Sequence, residues 1–250
     1  MPEGPSIRIL REEAVIFKGK KVLEVSGNSK EDIGRMENKK VKDLKSWGKH
    51  FLICFDHFTV RIHLMLFGSY RINEVKENAT PRLSLRFANG ELNFYTCSVK
   101  FIEGDINEAY DWQVDIMSDK WNPKKALASL KEAKKMMVTD ALLDQNIFAG
   151  SGNIIKNEVL FNIRLHPATL LGDIPDKKLK ELVKETSSYS FDFYRWKKAY
   201  ELKKHWLAYH KNICPRCDIP LVIKDMGKGK RRTFFCENCQ LLYKNGEVVS

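Results

Sequence analysis

Apolar and polar positions alternate with a period of two through much of residues 50–100, and beyond residue 123 the apolar positions recur at spacings of three and four. Val60, Ile62, Leu64 and Leu66 alternate with Arg61, His63 and Met65, the pattern of a half-buried strand. Leu83, Leu85 and Phe87 alternate likewise, and Asn89-Gly90 supplies a tight turn before Leu92 and Phe94. Phe51 to Phe55 is a shorter, more continuously apolar strand. Ile7, Leu10, Ala14 and Phe17 share one helical face, which predicts a helix from Ser6 to Phe17. Several short strands after one early helix predict a sandwich-like β domain.

The pattern changes near Tyr110. Residues 111–122 are polar and aromatic and read as a connector, and Pro123 suits the first turn of a helix. Three apolar stripes come next at helical spacing: Ala126, Leu127 and Leu130; Val138, Leu142 and Leu143; and Ile154, Ile155, Val159 and Leu160. A charged, aromatic stretch from Asp176 to His210 continues the helical region. The expected organisation is α+β and multidomain: a β domain over 1–110, a linker over 111–122, a helical domain over 123–210 and a cysteine-bearing tail over 211–250. No internal repeat is present.

Charge adds a partner class. Forty-three Lys and Arg against 32 Asp and Glu give a net charge of +11, a field that attracts polyanions but does not specify any chemistry done on them. No apolar run reaches the length of a membrane span, and the opening MPEGPSIRIL lacks the layout of a signal peptide. Of the six cysteines, four form two Cys-x-x-Cys pairs, while Cys54 and Cys97 lie inside apolar strands. That usage suits a reducing cytoplasm.

Cys214, Cys217, Cys236 and Cys239 have the spacing at which two turns each bring a pair of thiolates to one ion, and they predict one structural zinc. With four thiolates no coordination position is left for water, so the metal would hold shape. Between the pairs lies the basic turn Lys228-Gly229-Lys230-Arg231-Arg232-Thr233.

Two further segments carry chemistry. Pro2, once Met1 is trimmed, presents a secondary amine beside the carboxylate of Glu3. A terminal amine titrates at about pH 8, so an appreciable fraction is neutral and nucleophilic at pH 7; attack on a sugar aldehyde carbon gives an iminium, an electron sink for elimination. Gln145 to Asn153 is a glycine-rich turn, with Gly150 and Gly152, that opens the third apolar helix; such a turn can cradle a phosphate.

Taken in order, the opening PEGP, the strand ending His63-Leu64-Met65-Leu66-Phe67-Gly68, the segment LLDQNIFAGSGNIIKNEVL and the four-cysteine tail closely resemble the formamidopyrimidine-DNA glycosylase / endonuclease VIII family. The resemblance spans nearly the whole chain. It implies a two-sheet N-terminal β-sandwich with flanking helices, a helix–two-turn–helix domain and a C-terminal zinc finger, with double-stranded DNA bound between them by a monomer. It implies base-excision repair by a combined glycosylase and abasic-site lyase acting on oxidised bases. Pro2 would then attack C1′ of the damaged nucleoside and Glu3 would move protons. Lys49 would contact DNA near the nucleophile, Asn153 in its Gly152-Asn153 turn would grip phosphate, and Arg231 of the finger would pair with phosphate beside the lesion, with Arg232 its neighbour. Met65, Leu66 and Phe67 would be wedges filling the gap left by an extruded base.

Ser6 stands where the family commonly has a glutamate, with Glu12 and Glu13 the nearest other carboxylates. That departure keeps open a non-catalytic damaged-DNA binder on the same scaffold, beside a zinc-ribbon accessory factor that binds nucleic acid without flipping bases. The PEGP start and the Met-Leu-Phe cluster resemble the endonuclease VIII branch more, which favours oxidised pyrimidines over 8-oxoguanine. The protein is expected in the cytoplasm, on the nucleoid when bound to DNA.

Overall fold

The computed structural model describes residues 2–249. They form two compact units, one ending at Asp111 and the next beginning at Trp112.

In the first unit, Pro5 lies in the opening turn of helix α1 (Gly4–Glu13), where its missing N–H costs nothing. The expected helix to Phe17 tightens into a 3-10 turn over Ala14–Phe17. Six strands come after it: β1 (Glu24–Ser26), β2 (Asp43–Trp47), β3 (His50–Cys54), β4 (Phe58–Ile72), β5 (Leu83–Phe87) and β6 (Gly90–Glu103), before the short helix α2 (Ile106–Ala109). All pairs are antiparallel, in the order β1-β5-β6-β4-β3-β2. The sandwich is therefore one ladder folded over. Long β4 and β6 run through both layers: β4 pairs β3 through its first half, and β6 pairs β5 through residues 90–94. Phe51 of β3 meets Phe94 of β6 with ring centroids 5.8 Å apart, and both are fully buried in one core with Ile7 and Leu10 of α1.

Two details depart from simple alternation. The hairpin loop is Ala88-Asn89, and Gly90 already belongs to β6, paired with Phe87. Gly90 has φ +141°, and a Cβ there would strike the Asn73 side chain, whose Oδ1 accepts the Glu91 N–H at 2.9 Å. The alternation of β4 also stops at Leu64. The ladder leaves at Leu64↔Cys97 and resumes at Ser69↔Tyr95, so residues 65–68 face Thr96 alone.

The second unit holds α3 (Pro123–Glu132), α4 (Val138–Ala141), α5 (Asn153–Asn162) and α6 (Asp176–Lys198), then the hairpins β7 (Val222–Met226)–β8 (Arg231–Phe235) and β9 (Leu242–Lys244)–β10 (Glu247–Val249). Asn122 caps α3, its side chain accepting from the N–H groups of Lys124 at 3.1 Å and Lys125 at 3.2 Å. Val114 to Met117, expected within a connector, are buried in this unit: Ala149 N–H donates to Val114 O at 2.8 Å and Ile116 N–H to Ala149 O at 3.1 Å. The cysteine tail packs in the same unit, because Phe161 of α5 lies in one core with Ala208, Cys214, Leu221, Phe234 and Cys236. No helix among the described residues is long and apolar enough to cross a membrane.

Candidate active site and metal centre

Pro2 is half-buried and leads directly into Glu3, the N-cap residue of α1. Glu3 has no exposed surface, and its carbonyl accepts from Ser6 N–H at 2.8 Å and Ile7 N–H at 3.3 Å. Burying a carboxyl group is costly without partners. The α1 N-terminus offsets part of that cost, since its positive dipole end favours a negative charge. Ser6 is buried in the first turn. Glu12 accepts from Arg8 Nε at 3.5 Å and Glu13 from the Tyr70 hydroxyl at 2.7 Å, both at the far end of the helix.

Lys49 occupies the two-residue turn between β2 and β3, after Gly48 at φ +52°. Around the turn lies an aromatic cluster. Trp47 and Tyr110 have ring centroids 4.9 Å apart, His50 Nδ1 is 3.1 Å from the Tyr110 hydroxyl, and the His50 and His63 rings are 5.1 Å apart. Burial first, then the charges of His63, Arg61 and Lys49, lowers the His50 pKa to about 3. Burial and the charges of Lys49 and Arg61 lower that of His63 as well. Lys49 therefore stands beside imidazoles held neutral, so the positive charge of the turn is carried by Lys49.

Met65, Leu66 and Phe67 are 49%, 52% and 80% exposed, an unusual display for three consecutive large apolar residues. The backbone underneath explains it. A Cβ on Gly68 would lie 2.7 Å from both Met65 N and Thr96 O, so only glycine permits this close turn. Thr96 opposite takes φ +50°.

In the second unit the glycine turn is fastened by Gln145, whose Oε1 accepts from Gly150 N–H at 3.0 Å and whose Nε2 donates to Leu143 O at 2.8 Å and Ser151 O at 3.1 Å. Gly150 takes φ +104°. Gly152 is the N-cap of α5, which has no side-chain cap. Asn153 is 6% exposed and donates from Nδ2 to Arg232 O at 2.9 Å. An amide NH₂ has two protons, so this bond occupies one. Arg231 and Arg232 open β8. Arg232 Nε donates to Asp225 Oδ1 across the hairpin at 2.9 Å, and Arg231 points to the opposite face of the strand. Arg232 is thus in a cross-strand ion pair with Asp225.

The four cysteine sulfurs lie within 4.8 Å of one another, with Cys214 Sγ 3.8 Å from Cys239 Sγ. A disulfide would need about 2.05 Å, whereas four sulfurs about 2.3 Å from a tetrahedral ion stand about 3.8 Å apart. The cluster fits a metal ion. Asn238 Nδ2 at 3.3 Å from Cys217 Sγ and Arg216 Nη1 at 3.8 Å from Cys239 Sγ supply donors to the thiolates.

Residues 1–102 match the formamidopyrimidine-DNA glycosylase N-terminal domain and residues 114–189 the formamidopyrimidine-DNA glycosylase H2TH domain, which together take in most of the chain. The chain belongs to the formamidopyrimidine-DNA glycosylase / endonuclease VIII family. It is 34% identical over 205 residues to endonuclease 8-like 3 of Mus musculus, an alignment covering 79% of this chain and 34% of that one. The chain thus spans about a third of the length of the endonuclease 8-like 3 proteins it matches. A formamidopyrimidine-DNA glycosylase of Lactobacillus helveticus is 25% identical over 98% of this chain and its own full length. The fold superposes with a TM-score of 0.83 on the Lactococcus lactis formamidopyrimidine-DNA glycosylase solved non-covalently bound to DNA containing an AP site, at 20% identity, covering 95% of this chain and 99% of that one.

Within this family member, sequence reasoning missed a buried polar group on α5. Lys156, Asn157 and Glu158 are at most 1% exposed. Glu158 accepts from the N–H groups of Leu207, Ala208 and Tyr209 at 2.9, 3.0 and 2.6 Å, and burial raises its pKa despite those bonds. Lys156 and Asn157 reach β8. A signal was available: the three polar residues interrupt an otherwise apolar run, Ile154-Ile155 before and Val159-Leu160-Phe161 after. A helix apolar on every other face leaves no solvent side for them.

Proposed function

We propose that the chain is a base-excision-repair enzyme that releases oxidised bases, pyrimidines before purines, from duplex DNA and then cleaves the abasic strand. The observation that carries this reading is a buried Glu3 at the N-terminus of α1, with Pro2 immediately before it. With Met1 removed, the Pro2 nitrogen attacks C1′ of the extruded nucleotide. The glycosidic bond breaks with its electron pair going to the base, and Glu3 is placed to move the proton that the leaving base or the sugar oxygen takes. The nitrogen, having lost its proton, then expels O4′, which takes a proton as the sugar ring opens, and the C1′ iminium so formed withdraws electrons, so a C2′ proton is lost and the 3′-phosphate leaves.

The remaining residues grip and shape the substrate. Lys49, Arg231 and the second proton of the Asn153 amide are suited to phosphates, which fix register without reading sequence. Met65, Leu66 and Phe67 are suited to fill the vacated stack. The metal is zinc, held by Cys214, Cys217, Cys236 and Cys239, and it fixes the hairpin that carries Arg231. The enzyme acts as a monomer.

A non-catalytic damaged-DNA binder is favoured by one observation, Ser6 in place of the family's acid with Glu12 and Glu13 engaged elsewhere. Duplexes carrying an oxidised pyrimidine, an oxidised purine or an abasic site separate the readings. Trimmed protein is expected to release the pyrimidine fastest, to nick the abasic strand, and to be trapped on it by borohydride. Tight binding with neither release nor trapping would establish the binder instead.

A further inference from the structure

We propose that Asp140 and Lys156 are positioning residues: two latches that fix the finger hairpin to the helices and thereby set where Arg231 meets a phosphate. The inference rests on the proposed DNA chemistry and adds residues to it. β8 pairs with β7 along one edge only, and an open strand edge exposes unpaired carbonyls and N–H groups. Here α5 covers that edge with side chains. Arg232 O accepts from Asn153 Nδ2 at 2.9 Å, Lys156 Nζ at 3.3 Å and Asn157 Nδ2 at 3.4 Å. Lys156 Nζ also donates to Thr233 Oγ1 at 2.8 Å, and Phe234 N–H donates to Asn157 Oδ1 at 2.8 Å. Lys156 is fully buried, and oxygens of β8 stand by its Nζ where water would otherwise be.

The second latch holds the turn. Asp140 of α4 accepts the Lys228 N–H on Oδ1 at 2.9 Å. Gly227 before it has φ +75°, and a Cβ there would overlap the Asp140 carboxylate, so the turn sits directly on that side chain. Arg231 lies between the two latches, three residues after Lys228 and one before Arg232. A two-stranded ribbon standing alone is marginally stable. Its tip would rock about the metal end, and a phosphate contact displaced by about 1 Å loses much of its value.

The test uses full-length, metal-loaded protein with Asp140→Ala, Asp140→Asn, Lys156→Met and Thr233→Val, each alone and combined with Arg231→Ala. Two readouts are needed: affinity for an abasic-site duplex, and amide hydrogen exchange of residues 226–234. Asp140→Ala and Lys156→Met are expected to weaken binding about tenfold in the native background, an interaction of the size that coupled neighbours show, and under twofold beside Arg231→Ala. Exchange should quicken at Lys228 for Asp140→Ala and at Phe234 for Lys156→Met, with the cysteine turns unchanged. Asp140→Asn, which keeps the acceptor oxygen, should restore both. Equal losses with and without Arg231, or unaltered exchange, would overturn the proposal. Should Lys156→Met fail to fold, Thr233→Val reads the same latch from the strand side. If the native chain ignores the duplex while the exchange shifts appear, the latches stand as structure, and it is the DNA reading, with the role given to Arg231, that falls.

Discussion

The exposed segment Met65–Phe67 of the first unit and the β7–β8 hairpin of the second are held in different ways. Residues 65–67 are displayed by backbone packing: Gly68 lets the chain close against Met65 N and Thr96 O, and no long side chain is needed beneath them. The β7–β8 hairpin has the four-cysteine cluster at one end and side chains of α4 and α5 along its length. Backbone packing tolerates changes at the displayed residues and no change at the glycine. Side-chain latching reverses this, since each latch is separately removable.

Metal removal should break the contrast most severely. Apparent metal-binding free energies of small thiolate fingers are about 10–16 kcal/mol, so chelation is expected to unfold the hairpin while the β unit survives. Hydrogen exchange should show full loss of protection for residues 211–245 and native protection in β3, β4 and β6. Loss of protection in both would mean that the metal supports the whole chain.

Next in size is Glu3→Gln, close to isosteric in a site without exposed surface. Base release under single-turnover conditions should fall by about 10²–10⁴, the usual worth of a positioned acid/base group, with duplex binding little altered. An unchanged rate would remove Glu3 from the chemistry.

The wedge itself gives a paired comparison. Gly68→Ala must push backbone apart and should destabilise the first unit by about 1–3 kcal/mol, as overpacking does. Phe67→Ala, at an 80% exposed position, should leave the melting curve within about 0.5 kcal/mol and yet weaken abasic-duplex binding. A melting loss at Phe67 equal to that at Gly68 would show the loop to be core.

The smallest expected effect is on pH dependence. His50 is neutral in the folded unit down to about pH 3, whereas an unfolded imidazole takes its proton near 6.5. Protons then bind the unfolded chain preferentially, and the first unit loses stability as pH falls from about 6.5 towards 3. Glu158 runs the other way: its raised pKa gives the second unit a contribution complete below the ordinary glutamate range, about pH 4.5, and lost as pH rises through the folded value. Local exchange of β3 and β4 followed from pH 7 to 5 should therefore show protection declining, and His50→Phe should flatten that decline.

The same contrast explains what could be read from the sequence. Alternation in Val60–Leu64 and Leu83–Phe87 is local and the strands obeyed it. The folding-over of the ladder was not legible, because it depends on where long β4 leaves and rejoins β6. The resemblance singled out Met65, Leu66 and Phe67, but the reason they are exposed lies in Gly68 and in the backbone angle of Thr96, which no period encodes. The four cysteines announced their cluster by spacing. Lys156 and Asp140 did not, because their partners lie 77 and 88 residues along the chain, and a lysine on a helix reads as solvated until its strand is in place.

The most direct test of the central claim is to locate the covalent bond. Protein with Met1 removed is reacted with abasic-site duplex under borohydride, digested, and its peptides are weighed and fragmented. The account places the reduced sugar on the Pro2 nitrogen. A sugar attached to Lys49 or another lysine, or no adduct from protein that binds the duplex, would contradict it.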